Sequence, residues 1–197
     1  MIRSAKNSKG VLEVICGSMF SGKSEELIRR LKRAEFAKLS VLTFKPNLDT
    51  RHTINALTSH SGDEFKTIPL ADPLMIFSYI TPETDVVGID EVQFFPPAIL
   101  NVVCTLIEQG KRIILAGLDL DFRGMPFGCM PIFMAIADQV TKLKAICISC
   151  GQEGHFTQRL VNGFPAKHDD PLIMIGAQEH YQARCRGCYS INQKPLF

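Results

Sequence analysis

Tryptophan is absent from this 197-residue chain, tyrosine occurs three times, and neither charge sign dominates: 22 Lys and Arg face 20 Asp and Glu, for a formal net charge of +2. So small a surplus excludes the broad basic field on which non-specific nucleic-acid binding depends. Long apolar runs are lacking too. No stretch approaches the roughly 20 residues of a membrane span, and the polar start "MIRSAKNSKG" does not read as a secretory signal. No internal repeat or low-complexity tract is present. The expectation is a cytoplasmic globular protein with no nucleic-acid or membrane partner. Its 46% hydrophobic content suffices for one substantial core and a small appendage. Cysteine, by contrast, occurs seven times. In a reducing compartment that number points to a metal or reactive thiols rather than to disulfides.

Residues 11–15 (VLEVI), 40–44 (SVLTF), 85–90 (DVVGID) and 112–120 (RIILAGLDL) read as strands. Between them, residues 24–39 read as a helix with Leu27, Leu31, Ala34 and Leu39 on its apolar side, and a second helix runs from the prolines at 96 and 97 to Gly110. A third helix is expected over 131–143, and residues 45–67 form a long polar loop with at most a short strand or helical turn. Strands alternating with helices predict an α/β fold with a mainly parallel central sheet. From Ala145 onward the chain changes to short segments framed by cysteines. We therefore expect two units, residues 1–144 and 145–197.

The strongest local pattern is "GSMFSGKS", which fits the phosphate-binding loop G-x-x-x-x-G-K-[ST] between a strand and a helix. Glycines at 17 and 22 let backbone N–H groups converge on phosphate oxygens, and the helix adds the positive end of its dipole. Lys23 would reach the β- and γ-phosphates, and the Ser24 hydroxyl would ligate magnesium. A second pattern, "GIDEVQFF", ends a strand in Asp90 and Glu91, at the edge where open α/β sheets bind ligands. Asp90 suits the acid that holds Mg²⁺ beside ATP, and Glu91 is then free to take a proton from an incoming nucleophile. Gly17, Ser18, Met19, Phe20, Ser21, Gly22, Lys23 and Ser24, with Asp90, Glu91, Val92 and Gln93, form the candidate ATP site. Asp49 and Arg51 either reach phosphates from the long loop or are solvated loop charges.

The third pattern pairs Cys147-x-x-Cys150 with Cys185-x-x-Cys188. Two such pairs make a four-sulfur zinc site with no open coordination position, hence a structural one. Thiol redox chemistry is the rival reading. The intervening residues 151–184 must loop out and return. Cys16, Cys104 and Cys129 have apolar neighbours and read as core residues. The five histidines show no ligand spacing.

"GSMFSGKSEELIRR", "IDEVQFF", "LDLDFRGMPFG", "TQRL" and "IGAQEHYQARCRGCY", in unbroken order from about residue 11 to 189, together resemble the type II, zinc-bearing thymidine kinase family. The resemblance implies a RecA-like α/β domain that binds ATP (1–144), and a zinc domain with a lasso covering the nucleoside (145–197). It also implies a homotetramer, thymidine as acceptor, and feedback inhibition by dTTP. Carried over by position, Glu91 resembles the family's general base on the nucleoside 5′-hydroxyl. Met19, Phe94, Leu118, Phe122, Phe127, Thr157 and Tyr181 match positions around the base and sugar. For each aromatic taken alone, ordinary core packing is the better reading; Tyr181, between polar neighbours and beside a cysteine pair, is less easily read that way.

Two readings of other classes start from the same motifs. A phosphate loop beside an Asp-Glu strand end also serves ATPase motors and helicases, where it activates water. A zinc ribbon over 145–190 also serves nucleic-acid binding, but there Arg159, Lys167, Arg184 and Arg186 are offset by Glu153, Asp169, Asp170 and Glu179.

Overall fold

A computed structural model describes residues 9–47, 56–58, 64–172 and 179–192. Its strands and helices are β1 (Val11–Cys16), α1 (Lys23–Phe36), β2 (Ser40–Pro46), β3 (Ala56–Thr58), β4 (Glu64–Lys66), β5 (Ile68–Leu70), β6 (Thr84–Ile89), α2 (Ala98–Glu108), β7 (Arg112–Gly117), α3 (Met130–Ile136) and β8 (Gln139–Lys142). They are followed by β9 (Ala145–Ile146), β10 (Glu153–Gly154), β11 (Phe156–Val161), β12 (Phe164–Pro165) and β13 (Glu179–Arg184). Six strands make one sheet in the order β5-β2-β6-β7-β1-β8, and every pairing in it is parallel. This is the expected α/β architecture.

Because side chains alternate along a strand, each central strand feeds two cores. Leu12, Val14, Val87, Ile89, Ile113 and Leu115 face α2 and α3, where Ile99, Val102, Val103, Leu106, Met130 and Phe133 close the larger core. Ile15, Val86, Ile114 and Ala116 face α1 and meet Leu27, Ile28, Leu31 and Ala34. A helix of 14 residues is marginal alone; this buried stripe holds it. The helix lies so close that a Cβ on Gly88 would come within 2.9 Å of Leu31 Cδ2. At the N-terminal end of the sheet, buried Glu13 of β1 accepts from Arg30 of α1 and Arg112 of β7, both at 2.7 Å. Arg30 also reaches Glu26 and Thr141 of β8, so one ionic network ties four elements together.

The sequence expectation fails over 131–143. The helix stops at Ile136, Ala137 turns extended (φ −69°, ψ 143°), and Gln139–Lys142 become an edge strand against β1. Long-range pairing decides this: Asp138 accepts from Leu12 N at 2.8 Å through its side chain and donates its own N–H to Leu12 O. Leu39 lies beyond the end of α1 and is partly exposed, whereas Ile28 is buried in its stead. Residues 45–67 contain, where described, the antiparallel β3–β4 pair, and Phe65 packs with the α1 core. Strand β7 ends at Gly117, and Leu120 only bridges to Pro126. Cys104, expected in the core, sits exposed on the outer side of α2, whose buried residues are 99, 102, 103 and 106. Among the described residues no helix is long and apolar enough to cross a membrane.

Strands β9–β10 and β12-β11-β13 form two small antiparallel sheets after β8. They meet the main sheet at its C-terminal edge: Met19 N donates to Thr157 Oγ1 at 3.0 Å, and Tyr189 Oη donates to Phe122 O at 2.8 Å.

Candidate active site

The turn between β1 and α1 wraps around its own centre. Gly17 has φ 145° and Gly22 φ 82°, and a Cβ at Gly17 would stand 2.4 Å from Leu143 O. Only glycine fits there. Phe20 also takes a left-handed conformation, at φ 65°. Lys23 is 7% exposed and donates to Ser18 O at 2.8 Å, across the mouth of the loop. Burial lowers its pKa, while the nearby charges of Glu91 and Asp90 work the other way. Ser24 Oγ donates to Asp90 Oδ2 at 3.2 Å, which joins the loop to the end of β6. Asp90 is buried, and its carboxyl is pushed up to about 7, by burial first and by the Glu91 charge second. Its Oδ1 and Ser21 Oγ are buried without a hydrogen-bond partner among the described residues. A hydroxyl and a buried carboxylate with an open oxygen form the donor set expected for a hard divalent cation, so these residues fit magnesium.

Glu91 is held differently. Its backbone is left-handed (φ 50°, ψ 36°), a strained state for a residue with a Cβ, and such strain concentrates at functional positions. Gln93 Nε2 donates to Glu91 Oε2 at 2.5 Å, while Gln93 Oε1 accepts from Leu118 N at 3.1 Å. That side chain is buried and packs directly over Gly117, where a Cβ would stand 2.3 Å from Gln93 Oε1. Gln93 is thus a strut between β7 and Glu91, with one Glu91 oxygen occupied. Val92 is fully buried in the larger core.

Two cavities meet at this point. One, of about 140 Å³, is lined by Met19, Phe20, Gly22, Lys23, Ser24, Glu25 and Glu91. The other, of about 300 Å³, is lined by Met19, Glu91, Phe94, Leu118, Asp121, Phe122, Phe127, Thr157, Leu172 and Tyr181. All seven residues matched to the base and sugar lie in the second cavity. Phe94 and Phe127 meet edge to face, with centroids 5.2 Å apart. Asp121 and Leu172 line it too, and sequence reasoning misses both. Asp121 accepts from Arg123 N and Met125 N through Oδ1 and from the Arg123 guanidinium through Oδ2, so it shapes the 121–125 turn. The D-x-x-G spacing of "DFRG" is the turn signature that could flag it. Asp49 and Arg51 lie outside the described residues.

The four cysteines converge as expected. Their sulfurs lie within 4.8 Å of one another, Cys150 and Cys185 at 3.6 Å. Zn–S bonds of about 2.3 Å place tetrahedral sulfurs roughly 3.8 Å apart, so the set fits a structural zinc ion. Both knuckles are built by backbone turns, Gly151 N to Cys147 O and Tyr189 N to Cys185 O.

A protein-family model described as thymidine kinase matches residues 10–189. The match spans the loop, the strand-end acids, the aromatic cavity and both cysteine pairs, and the chain belongs to the thymidine kinase family.

Proposed function

We propose, from membership in this family and the geometry of the two cavities, that the enzyme transfers the γ-phosphoryl group of ATP to the 5′-hydroxyl of thymidine, giving thymidine monophosphate and ADP. One observation carries the reading: Glu91 and Met19 line both cavities. A carboxylate between a phosphate loop and an aromatic slot stands where donor and acceptor meet. The slot's volume, at the low end of small-ligand pockets, and its aromatic walls suit a flat pyrimidine.

Residues 1–144 bind ATP. The loop amides and Lys23 hold the β- and γ-phosphates in line with the acceptor, and such positioning supplies most of phosphoryl-transfer catalysis. The Glu91 oxygen not engaged by Gln93 takes the 5′-hydroxyl proton as the new P–O bond forms. The bond from the γ-phosphorus to the bridging oxygen breaks, and ADP leaves with that electron pair. Ser24 and Asp90 would hold magnesium, which when bound neutralises charge on the phosphate oxygens. Residues 145–197 hold zinc and cover the nucleoside; Asp49 and Arg51 are candidate phosphate contacts. On the same reading the enzyme works in the cytoplasm as a homotetramer, and dTTP inhibits it.

The test is ADP release by the purified enzyme with ATP and Mg²⁺, with and without thymidine. Strict dependence on thymidine is expected. Thymidine-independent hydrolysis, the signature of a motor, would overturn the reading.

A further inference from the structure

Arg159 has no exposed surface and is the largest fully buried side chain among the described residues. Burying a guanidinium is a poor route to stability, because apolar residues of similar volume often serve as well or better. Its position suggests another reason for it. On β11, Thr157 and Arg159 are two residues apart and so project to one face. Arg159 pairs directly with Tyr181 of β13, which projects to that face as well. Thr157 and Tyr181 line the aromatic cavity; Arg159 lies next in the same row.

From there the guanidinium touches Phe122, which lines the cavity, and Pro171, the chain neighbour of another lining residue. Its carbon stands 3.5 Å from the centroid of the Phe122 ring, a close cation–π stack. Nη1 donates to Pro171 O at 2.6 Å, and Nη2 lies 3.7 Å from Asp170 Oδ2. Phe122 is one wall of the cavity, and Leu172, next to Pro171, also lines it. The backbone of Phe122 is fixed separately, by Tyr189. One rigid planar group therefore joins an aromatic wall of the cavity to the Pro171–Leu172 segment.

We propose that Arg159 is a positioning residue for nucleoside binding: by holding Phe122 and the Pro171–Leu172 segment together, it sets the width of the slot that receives the base. It acts through those residues. The proposal rests on the nucleoside reading of that cavity.

The test compares thymidine affinity and kinetics of the intact enzyme with those of Arg159→Met. Methionine keeps length and apolar contact with the ring but loses the Pro171 hydrogen bond and the charge. Losing a desolvated stack and a charge-assisted hydrogen bond should raise the Kd and KM for thymidine about tenfold or more. The kcat at saturation should stay within about twofold, with the KM for ATP unchanged. Arg159→Lys should restore thymidine affinity only in part, since an ammonium lacks the planar stack. A merely structural role predicts the opposite split, with Tm and active fraction lowered at unchanged thymidine KM. Should the Arg159 variants fail to fold, Asp170→Asn loosens the same clamp from its partly exposed side, and a thymidine KM that does not rise there overturns the proposal. If the wild-type enzyme itself does not bind thymidine, the nucleoside reading falls and this inference with it. If it does bind, and Arg159→Met binds equally well, only the Arg159 role falls.

Discussion

Replacing Glu91 by glutamine changes one oxygen to an amide nitrogen, and the surroundings determine which way the new side chain turns. Gln93 Nε2 already donates to Glu91 Oε2, and Gln93 cannot flip, because Leu118 N–H requires an acceptor from its other end. The introduced amide must therefore present its oxygen to Gln93 and aim its NH₂ at the cavity. There it can still hydrogen-bond the oxygen of the 5′-hydroxyl, so thymidine should bind with nearly its normal KM. It cannot accept the hydroxyl proton. Positioned base catalysis contributes roughly 10²–10⁴-fold, so kcat should fall by that factor, with thymidine KM and ATP affinity within about threefold of wild type. The left-handed backbone at this position suits Gln and Glu about equally. Stability should therefore shift by no more than about 0.5 kcal/mol, or about 2 °C in Tm for a domain of this size. Steady-state ADP release with thymidine varied, beside a thermal melt, measures all of these. A folded Glu91→Gln enzyme with near-normal kcat would refute the proton-acceptor role and the geometry that supports it.

Lys23→Ala removes the cation at the phosphate cavity and should lower kcat by at least about 10²-fold while far-UV circular dichroism stays native; near-normal turnover would show that phosphates bind elsewhere. Gln93→Leu frees Glu91 and leaves the Leu118 N–H unsatisfied, so kcat should drop about 10- to 100-fold at unchanged thymidine KM, with about 1–3 kcal/mol lost in urea unfolding. Gly117→Ala, whose Cβ would stand 2.3 Å from Gln93 Oε1, should reproduce that pattern of kinetics; wild-type behaviour in both would remove the strut from the mechanism. Metal analysis should find about one zinc per chain, and Cys185→Ser should lose it together with folding energy that the metal supplies; full zinc content in that variant would exclude the four-sulfur site.

What is legible in the sequence is local. The phosphate loop, the strand before it and the helix after it are adjacent in the chain, and Gly17, Gly22 and Lys23 advertise the turn by residue type alone. The cysteine pairs are legible for the same reason, each within four residues. The edge strand Gln139–Lys142 is not, because its hydrogen bonds go to β1, more than 120 residues earlier, and a four-residue run shows no periodicity. Cys104 reads wrongly as core because apolar neighbours in a helix do not say which side faces inward. The link from Gln93 to Leu118, and the place of Arg159 against Phe122, arise only when distant segments meet. In the sequence, Arg159 reads as one cation among several in the cysteine-framed region.

The proposed mechanism stands on one carboxylate that lines two cavities, one assigned to ATP phosphates and the other to thymidine. Transfer of labelled γ-phosphate from ATP to a panel of nucleosides by the wild-type enzyme, with the product identified by chromatography, tests that dual role. Label should appear on the 5′-position of thymidine in amounts equal to the ADP formed, and none on purine nucleosides. Label released as inorganic phosphate at the same rate with or without thymidine would contradict it.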